Sequence, residues 1–307
     1  MKRRTTGTVD GLLLVDKPAG VSSHDVVNVA RRALGEKRIG HGGTLDPFAT
    51  GLLVMLVGRA TRLLPHLPGE PKVYEATIRF GAETDTEDLD GAVVVARSLP
   101  ARDALLAALP ALTGAIEQVP PAYSAKRIDG QRAYDLARAG APVALKPVSI
   151  RVHRWEIRSL TGVDGHEIGA AAPPGALVQE ARVRIACGGG TYIRSLARDL
   201  ARLVGSAAHL TQLRRTRSGA FRVEEALTVE DLQAGRARVR PALDALPGIV
   251  VQELTDDEIM RIVRGIDVPA QVEGAWGALT TSGTGLLVAL AERRADRWQP
   301  RVVMREA

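Results

Sequence analysis

The apolar run Leu12-Leu13-Leu14-Val15, flanked by Gly11 and Asp16, reads as a short buried strand. A turn at Lys17-Pro18-Ala19-Gly20 follows, and Ser22 or Ser23 is placed to cap a helix running to about Leu34. Residues 52–57 are apolar without a break, a run too short for its period to separate strand from helix. Residues 60–67 read as a helix, and residues 72–80 alternate and are rich in β-formers, as a strand requires. A helix is expected over 101–109, and Val119-Pro120-Pro121 breaks the chain. Residues 123–140 carry Lys126, Arg127, Arg132 and Arg138 and read as a strand plus a basic helix. Strands are expected over 148–157 and 181–186, then a glycine turn at 188–190 and a helix over about 191–204. Composition shifts near Pro247-Gly248. The remaining 60 residues open with a helix from Thr255-Asp256-Asp257-Glu258 to Gly265, followed by short strands at 285–290 and 301–304. The expected division is a domain over 1–247 and a module over 248–307, the latter so small that it should pack on the former or bind a ligand together with it.

With 307 residues, 45% hydrophobic and 25% charged, the chain has the balance of an ordinary globular protein. No apolar run is long enough to span a membrane, and the stretch after Met1-Lys2-Arg3-Arg4-Thr5 is too short for a signal peptide, so a cytoplasmic protein is expected. The single cysteine, Cys187, excludes an internal disulfide framework and a cysteine-based zinc site, and reads as a small buried hydrophobe. A net charge of +6 and a pI near 9.8 point toward a polyanionic partner. Between Ala181 and Arg222 stand arginines 182, 184, 194, 198, 202, 214, 215, 217 and 222 against one acid, Asp199. A solvated helix face mixes signs, so this bias favours a phosphate-binding surface. The acidic stretch 83–91 offers no register with glycine at position six and glutamate at position twelve, so it reads as a solvated loop rather than a calcium site. Neither glycine-rich segment carries the Gly-Lys-Ser/Thr of a P-loop, which argues against nucleotide hydrolysis.

The densest chemistry lies in Ile39-Gly-His41-Gly42-Gly43-Thr-Leu-Asp46-Pro47-Phe-Ala-Thr-Gly51-Leu-Leu53. Asp46 sits among glycines that permit sharp bends, and Pro47 steers it away from helical geometry. Were a helical turn to follow, Asp46 would be its N-cap and the positive helix end would keep the carboxylate ionised, as a nucleophile needs. An ordinary Asp-Pro turn opening a core element fits the same residues. His41 reads either as a general base or as a loop histidine satisfied by backbone. Tyr74, in Lys72-Val-Tyr74-Glu-Ala76, reads as a sheet tyrosine, and Arg194 as one more phosphate contact. From the residues alone these alternatives stand open.

The stretch around Asp46 resembles the G-H-x-G-x-L-D-P-x-A-x-G motif of the TruB family of RNA pseudouridine synthases, with Gly42 at a position often held by Thr or Ala. Lys17-Pro18-Ala19-Gly20, Lys72-Val-Tyr74-Glu-Ala76 and Gly190-Thr-Tyr192-Ile-Arg194-Ser-Leu196-Ala-Arg-Asp199-Leu200 resemble further family motifs in family order, and the acidic stretch resembles a T-D-T-x-D-x-x-G loop of the same family. The C-terminal module resembles a PUA domain. The resemblance implies an α+β fold: a mixed, largely antiparallel sheet flanked by helices, plus a small β-barrel-like PUA domain. It implies isomerisation of the uridine at position 55 in the tRNA T loop, without cofactor or metal, by a monomer that needs no protein partner. Asp46 would be the nucleophile and Arg194 its ion-pair partner; Tyr74 would stack on the flipped base and take part in proton removal. His41, Tyr192 and Leu213 would contact the substrate, and Lys17 would support the site. Lys126, Arg127, Arg132, Arg214 and Arg215 would contact RNA phosphate, with 122–146 closing over the T arm. Two other readings remain open: the catalytic subunit of a guide-RNA-directed pseudouridylation complex, and a non-catalytic RNA-folding factor.

Overall fold

The computed structural model describes residues 9–123, 127–128, 131–132, 145–169, 172–173 and 175–304. The chain divides into two units: Met1–Pro47, Gly51–Pro68 and Ala220–Ala307 form one, and Phe48–Thr50 with Gly69–Gly219 form the other.

The first unit opens with β1 (Gly11–Lys17), α1 (Ser23–Leu34), β2 (Ile39–His41) and β3 (Thr50–Val57). β1 and β3 run antiparallel, from Gly11 opposite Val57 to Lys17 opposite Gly51. The ambiguous run 52–57 is therefore strand. Both faces of this pair are buried: Leu12, Leu14, Leu52, Val54 and Leu56 enter one core, while Leu13, Val15, Leu53 and Met55 meet Val26, Val27 and Ala30 of α1 in another. A strand covered on both faces has no polar positions to alternate with, which explains the unbroken apolar runs. α1 starts in a capping box, Asp25 N–H donating to Ser22 Oγ and Ser22 N–H to the Asp25 carboxylate, and ends at Gly35 in the left-handed region. The helix expected over 60–67 is a 3₁₀ helix, Gly58–His66.

The second unit contains β4 (Lys72–Phe80), β5 (Ala82–Thr84), β6 (Val93–Ala96), α2 (Arg102–Ala108), β7 (Gly114–Gln118), β8 (Arg127–Ile128), β9 (Gln131–Arg132), β10 (Val148–Thr161), β11 (Glu180–Cys187), α3 (Ile193–Leu203) and β12 (Ala208–Ser218). Five of these strands make an antiparallel sheet in the order β12-β4-β11-β10-β7, with α3 packed on β12 and α2. Within the expected strand-plus-helix over 123–140, the described residues form a β8–β9 hairpin with Arg127 opposite Arg132. Lys126 and the expected basic helix lie outside the described residues.

The acidic stretch corrects an expectation. Glu83, Thr84, Glu87 and Asp88 are buried rather than solvated. Their carboxylates receive the arginines on one side of α3: Arg202 donates to Glu83 at 2.6 and 2.9 Å, Arg198 pairs with Glu87, and Arg194 lies 3.5 Å from Asp88. Arginines spaced four residues apart fall on one helical face, so a single loop neutralises all three.

After β13 (Phe221–Arg222), β14 (Leu227–Thr228) and α4 (Val229–Gln233), the first unit resumes as β15 (Val250–Leu254), α5 (Asp256–Val263), β16 (Val268–Pro269), β17 (Trp276–Thr281), β18 (Leu287–Arg294) and β19 (Arg297–Val303). The last five strands form a sheet in the order β15-β17-β18-β19-β16. Its two edge strands are bridged by the buried Gln252, whose Nε2 donates to Pro269 O at 3.0 Å while its Oε1 accepts from Gln271 N–H at 2.8 Å. The same oxygen accepts from the Trp298 indole at 2.7 Å. One amide thus brings the sheet close to closure, which suits the expected barrel-like module. Ala278, Leu287, Leu290, Val302 and Met304 share a core with Leu12, Leu14 and Leu52, so the module packs on β1 and β3, the first of the two ways in which so small a module can be stabilised.

Candidate active site

Asp46 owes its position to two neighbours that are themselves clamped. The Ser23 hydroxyl accepts from Leu45 N–H at 2.9 Å and donates to Leu45 O at 3.0 Å. On the other side, Pro47 O accepts from Lys17 Nζ at 3.1 Å and from Gly20 N–H at 2.9 Å. The half-buried Asp46 is therefore held in place by the β1–α1 connection. Residues 44–49 form no helix, so the helix end considered for Asp46 is not there. The fully buried Lys17 ammonium feels the charge of Asp46. Gly43 turns the chain between His41 and Asp46 at φ 96°, and Gly51 does so after it at φ 104°. His41 ends β2 opposite Met55 and is half-buried.

Lys17 spends all three of its protons on carbonyls: Pro18 at 2.8 Å, Val21 at 2.7 Å and Pro47 at 3.1 Å. Burial lowers its pKa to about 8, against the pull of Asp46 and Asp25. Above that pH the amine has one donor fewer and no charge, so the clamp on Pro47 loosens. Single-turnover rate should therefore fall as pH rises through about 8. Stability should move the other way: the folded pKa lies below the ordinary 10.5, so between these values the unfolded chain holds the extra proton and the fold gains as pH rises. Lys17→Met should already be slow at pH 7 and lack this alkaline limb. A limb of wild-type size in the variant would rule Lys17 out as its source.

In the second unit, Tyr74 sits mid-strand in β4, opposite Ile185 of β11 and Arg215 of β12. Leu213 faces Ala76, two pairs further along, so Tyr74, Leu213 and Arg215 share one face of the sheet. All three are buried. Tyr192 precedes α3 in extended conformation, its backbone held by Gln118. Arg194, 4% exposed, donates to Thr86 O at 2.6 Å and to Tyr123 O at 2.8 Å besides its approach to Asp88.

This geometry narrows the expected phosphate surface. Arg215 is 1% exposed, so it is not presented to a phosphate at the surface; its place is beside Tyr74. Arg194, Arg198 and Arg202 have acidic neighbours of their own. Arg214 is half-buried, with Nη1 3.4 Å from Thr50 Oγ1. Cys187 is buried, and burial pushes its thiol up to about 11, consistent with a packing role. Among the described residues no group of three His, Cys, Asp or Glu side chains could hold a metal ion, and no helix is long and apolar enough to cross a membrane. Ser23 and Gln118 were not legible as site residues; each acts only on a backbone distant in sequence.

The first unit fixes an aspartate in a glycine-rich turn, the second carries a buried tyrosine, leucine and arginine on one sheet face, and the aspartate and tyrosine stand in motifs that resemble those of RNA pseudouridine synthases. The family model "TruB family pseudouridylate synthase (N terminal domain)" matches residues 31–193, and "tRNA pseudouridylate synthase B C-terminal domain" matches residues 194–251. The chain belongs to the TruB family of pseudouridine synthases. Proteins named tRNA pseudouridine synthase B from Thermobifida fusca and Gloeobacter violaceus are 46% and 43% identical, each over 96% of this chain, covering 98% and 99% of their own lengths. The fold is also that of the archaeal box H/ACA sRNP Nop10-Cbf5 complex crystal structure, at TM-score 0.66 and 24% identity, over 99% of this chain and 89% of that one.

Proposed function

We propose that this enzyme isomerises the T-loop uridine at position 55 of tRNA, with Asp46 as nucleophile, without a guide RNA, partner protein or cofactor. The observation that carries the reading is the double clamp on Leu45 and Pro47, which presents one carboxylate in a fixed place beside a buried cation. In this reading the Asp46 carboxylate attacks C1′ and the C1′–N1 bond breaks, leaving a uracil anion (attack at C6 is the alternative). The base rotates, C5 bonds to C1′ and the carboxylate is expelled. The C5 proton then leaves to solvent through the Tyr74 side of the ring, and N1 takes up a proton. Atoms and charge balance with no redox change. Extruding the base costs a few kcal/mol, offset by stacking on Tyr74 and packing on Leu213. Arg194 keeps the role that the family motif gives it, and His41 and Tyr192 contact the displaced nucleotide.

The test is tritium release from a tRNA transcript made with 5-tritiated uridine, using purified enzyme alone. About one equivalent per tRNA should be released, and a transcript with cytidine at position 55 should release none. Release only on addition of a guide RNA would favour the guide-directed subunit. Tight binding with no release under any condition would favour the folding factor.

A further inference from the structure

Gln118 is the last residue of β7 and only 1% exposed, and its side-chain amide hydrogen-bonds the backbone of a residue 74 positions away. Its Oε1 accepts from Tyr192 N–H at 2.9 Å and its Nε2 donates to Tyr192 O at 3.0 Å. The amide thus imitates a neighbouring strand, engaging both polar groups of a single residue. A carboxamide is the side chain that offers a donor and an acceptor on one rigid plane. Tyr192 is the N-cap of α3 yet its own side chain makes no capping bond, and Tyr192 O also receives the first helical bond from Leu196 N–H at 3.1 Å. Held at φ −100° and ψ 110°, Tyr192 has one backbone setting, which fixes the direction of its Cα–Cβ bond and so limits where its ring can reach.

We propose that Gln118 is a positioning residue that fixes Tyr192 for the target nucleotide. It acts through the Tyr192 backbone and does not itself touch RNA. This rests on the reading of Tyr192 as a substrate contact. The chain leaving β7 strengthens the assignment: Val119 O accepts from Arg198 at 2.9 Å and Tyr123 O from Arg194 at 2.8 Å, so the strand exit and the first turns of α3 are one rigid junction. Gln118 is the member of that junction aimed at Tyr192.

A double-mutant cycle on the single-turnover rate tests it. Gln118→Met should slow the rate roughly 10- to 100-fold, since displacing a positioning group by about 1 Å has that cost, while tRNA Kd stays within about three-fold. In a Tyr192→Ala background the same substitution should cost less than about three-fold, because the residue it positions is gone. Equal losses in both backgrounds would overturn the proposal, leaving the underlying reading of Tyr192 intact. A Tyr192→Ala enzyme with the wild-type rate would overturn both. Should Gln118→Met fold poorly, Gln118→Glu gives a second readout. Its protonated form restores a donor toward Tyr192 O and its carboxylate does not, so its deficit relative to wild type should shrink from pH 8 to pH 5.5. A deficit independent of pH would count against the clamp.

Discussion

Asp46→Asn is expected to bind the tRNA transcript within a few-fold of wild type and to release no measurable tritium from it. The amide keeps the shape of the carboxylate, and the backbone on either side is clamped independently of the charge: Ser23 on Leu45, Lys17 and Gly20 on Pro47. The turn should therefore survive. The lost charge is felt by Lys17, whose ammonium loses one attractive neighbour but retains three carbonyl acceptors. Binding should change little, because phosphate contacts dominate affinity for RNA and one neutralised acid removes none of them. Turnover has no substitute, since an amide cannot form the bond to C1′ or C6. Losing a nucleophile costs about 10⁴- to 10⁶-fold in other covalent enzymes, beyond the range of the assay. Filter binding and tritium release on the same preparation separate the two effects. A loss of binding as large as the loss of turnover would assign Asp46 a structural role instead.

Much of the fold could be read from the chain because local signals agreed with the tertiary answer. β1, β4 and β11 follow from apolar runs and alternation, α1 from a cap at Ser22 or Ser23 and α5 from the acidic start Thr255-Asp-Asp-Glu, and the structure places capping boxes at Ser22 and Thr255. β12 carries no such signal: its segment Ala-His-Leu-Thr-Gln-Leu-Arg-Arg-Thr-Arg-Ser is polar and its pairing with β4 is broken by two register shifts. The acidic loop is buried rather than solvated for a related reason. Its partners lie 111 and 119 residues away on α3, and no local pattern couples Glu87 to Arg198 or Glu83 to Arg202. The same pairs show why an arginine count overstated the RNA surface.

The site divides along the same line. Asp46, Tyr74 and Tyr192 could be singled out because motifs carry them; the residues that hold them could not. Ser23 looks like a helix cap and Gln118 like any glutamine before two prolines, and only the folded chain brings them to Leu45 and Tyr192. Polar groups that act on distant backbone leave no periodic trace.

The buried pair of Arg198 and Glu87 gives the largest expected effect on stability. Arg198 is 7% and Glu87 8% exposed. Around them Ser195 Oγ donates to Glu87 at 3.0 Å and Arg198 donates to Val119 O at 2.9 Å and to Asp199 at 2.8 Å. Removing one member of such a pair leaves the other charge buried without its counterion, at a cost of about 3–5 kcal/mol. Arg198→Met should therefore lose about that much at pH 7.5 by denaturant unfolding. The dependence on pH identifies the cause. Burial already raises the Glu87 pKa above the ordinary 4.5 although Arg198 opposes it, so without Arg198 the rise should be larger. A folded-state acid with a raised pKa holds a proton that the unfolded chain has lost, so stability falls as pH rises through that window and returns as pH drops. The deficit of Arg198→Met should thus be smaller at pH 5.5 than at pH 7.5. Converting Glu87 to Gln in the same chain should remove most of the pH dependence, because the group that titrates is gone. A deficit of equal size at both pH values would mean that lost packing of the long arginine stem, rather than a stranded carboxylate, is what the substitution costs.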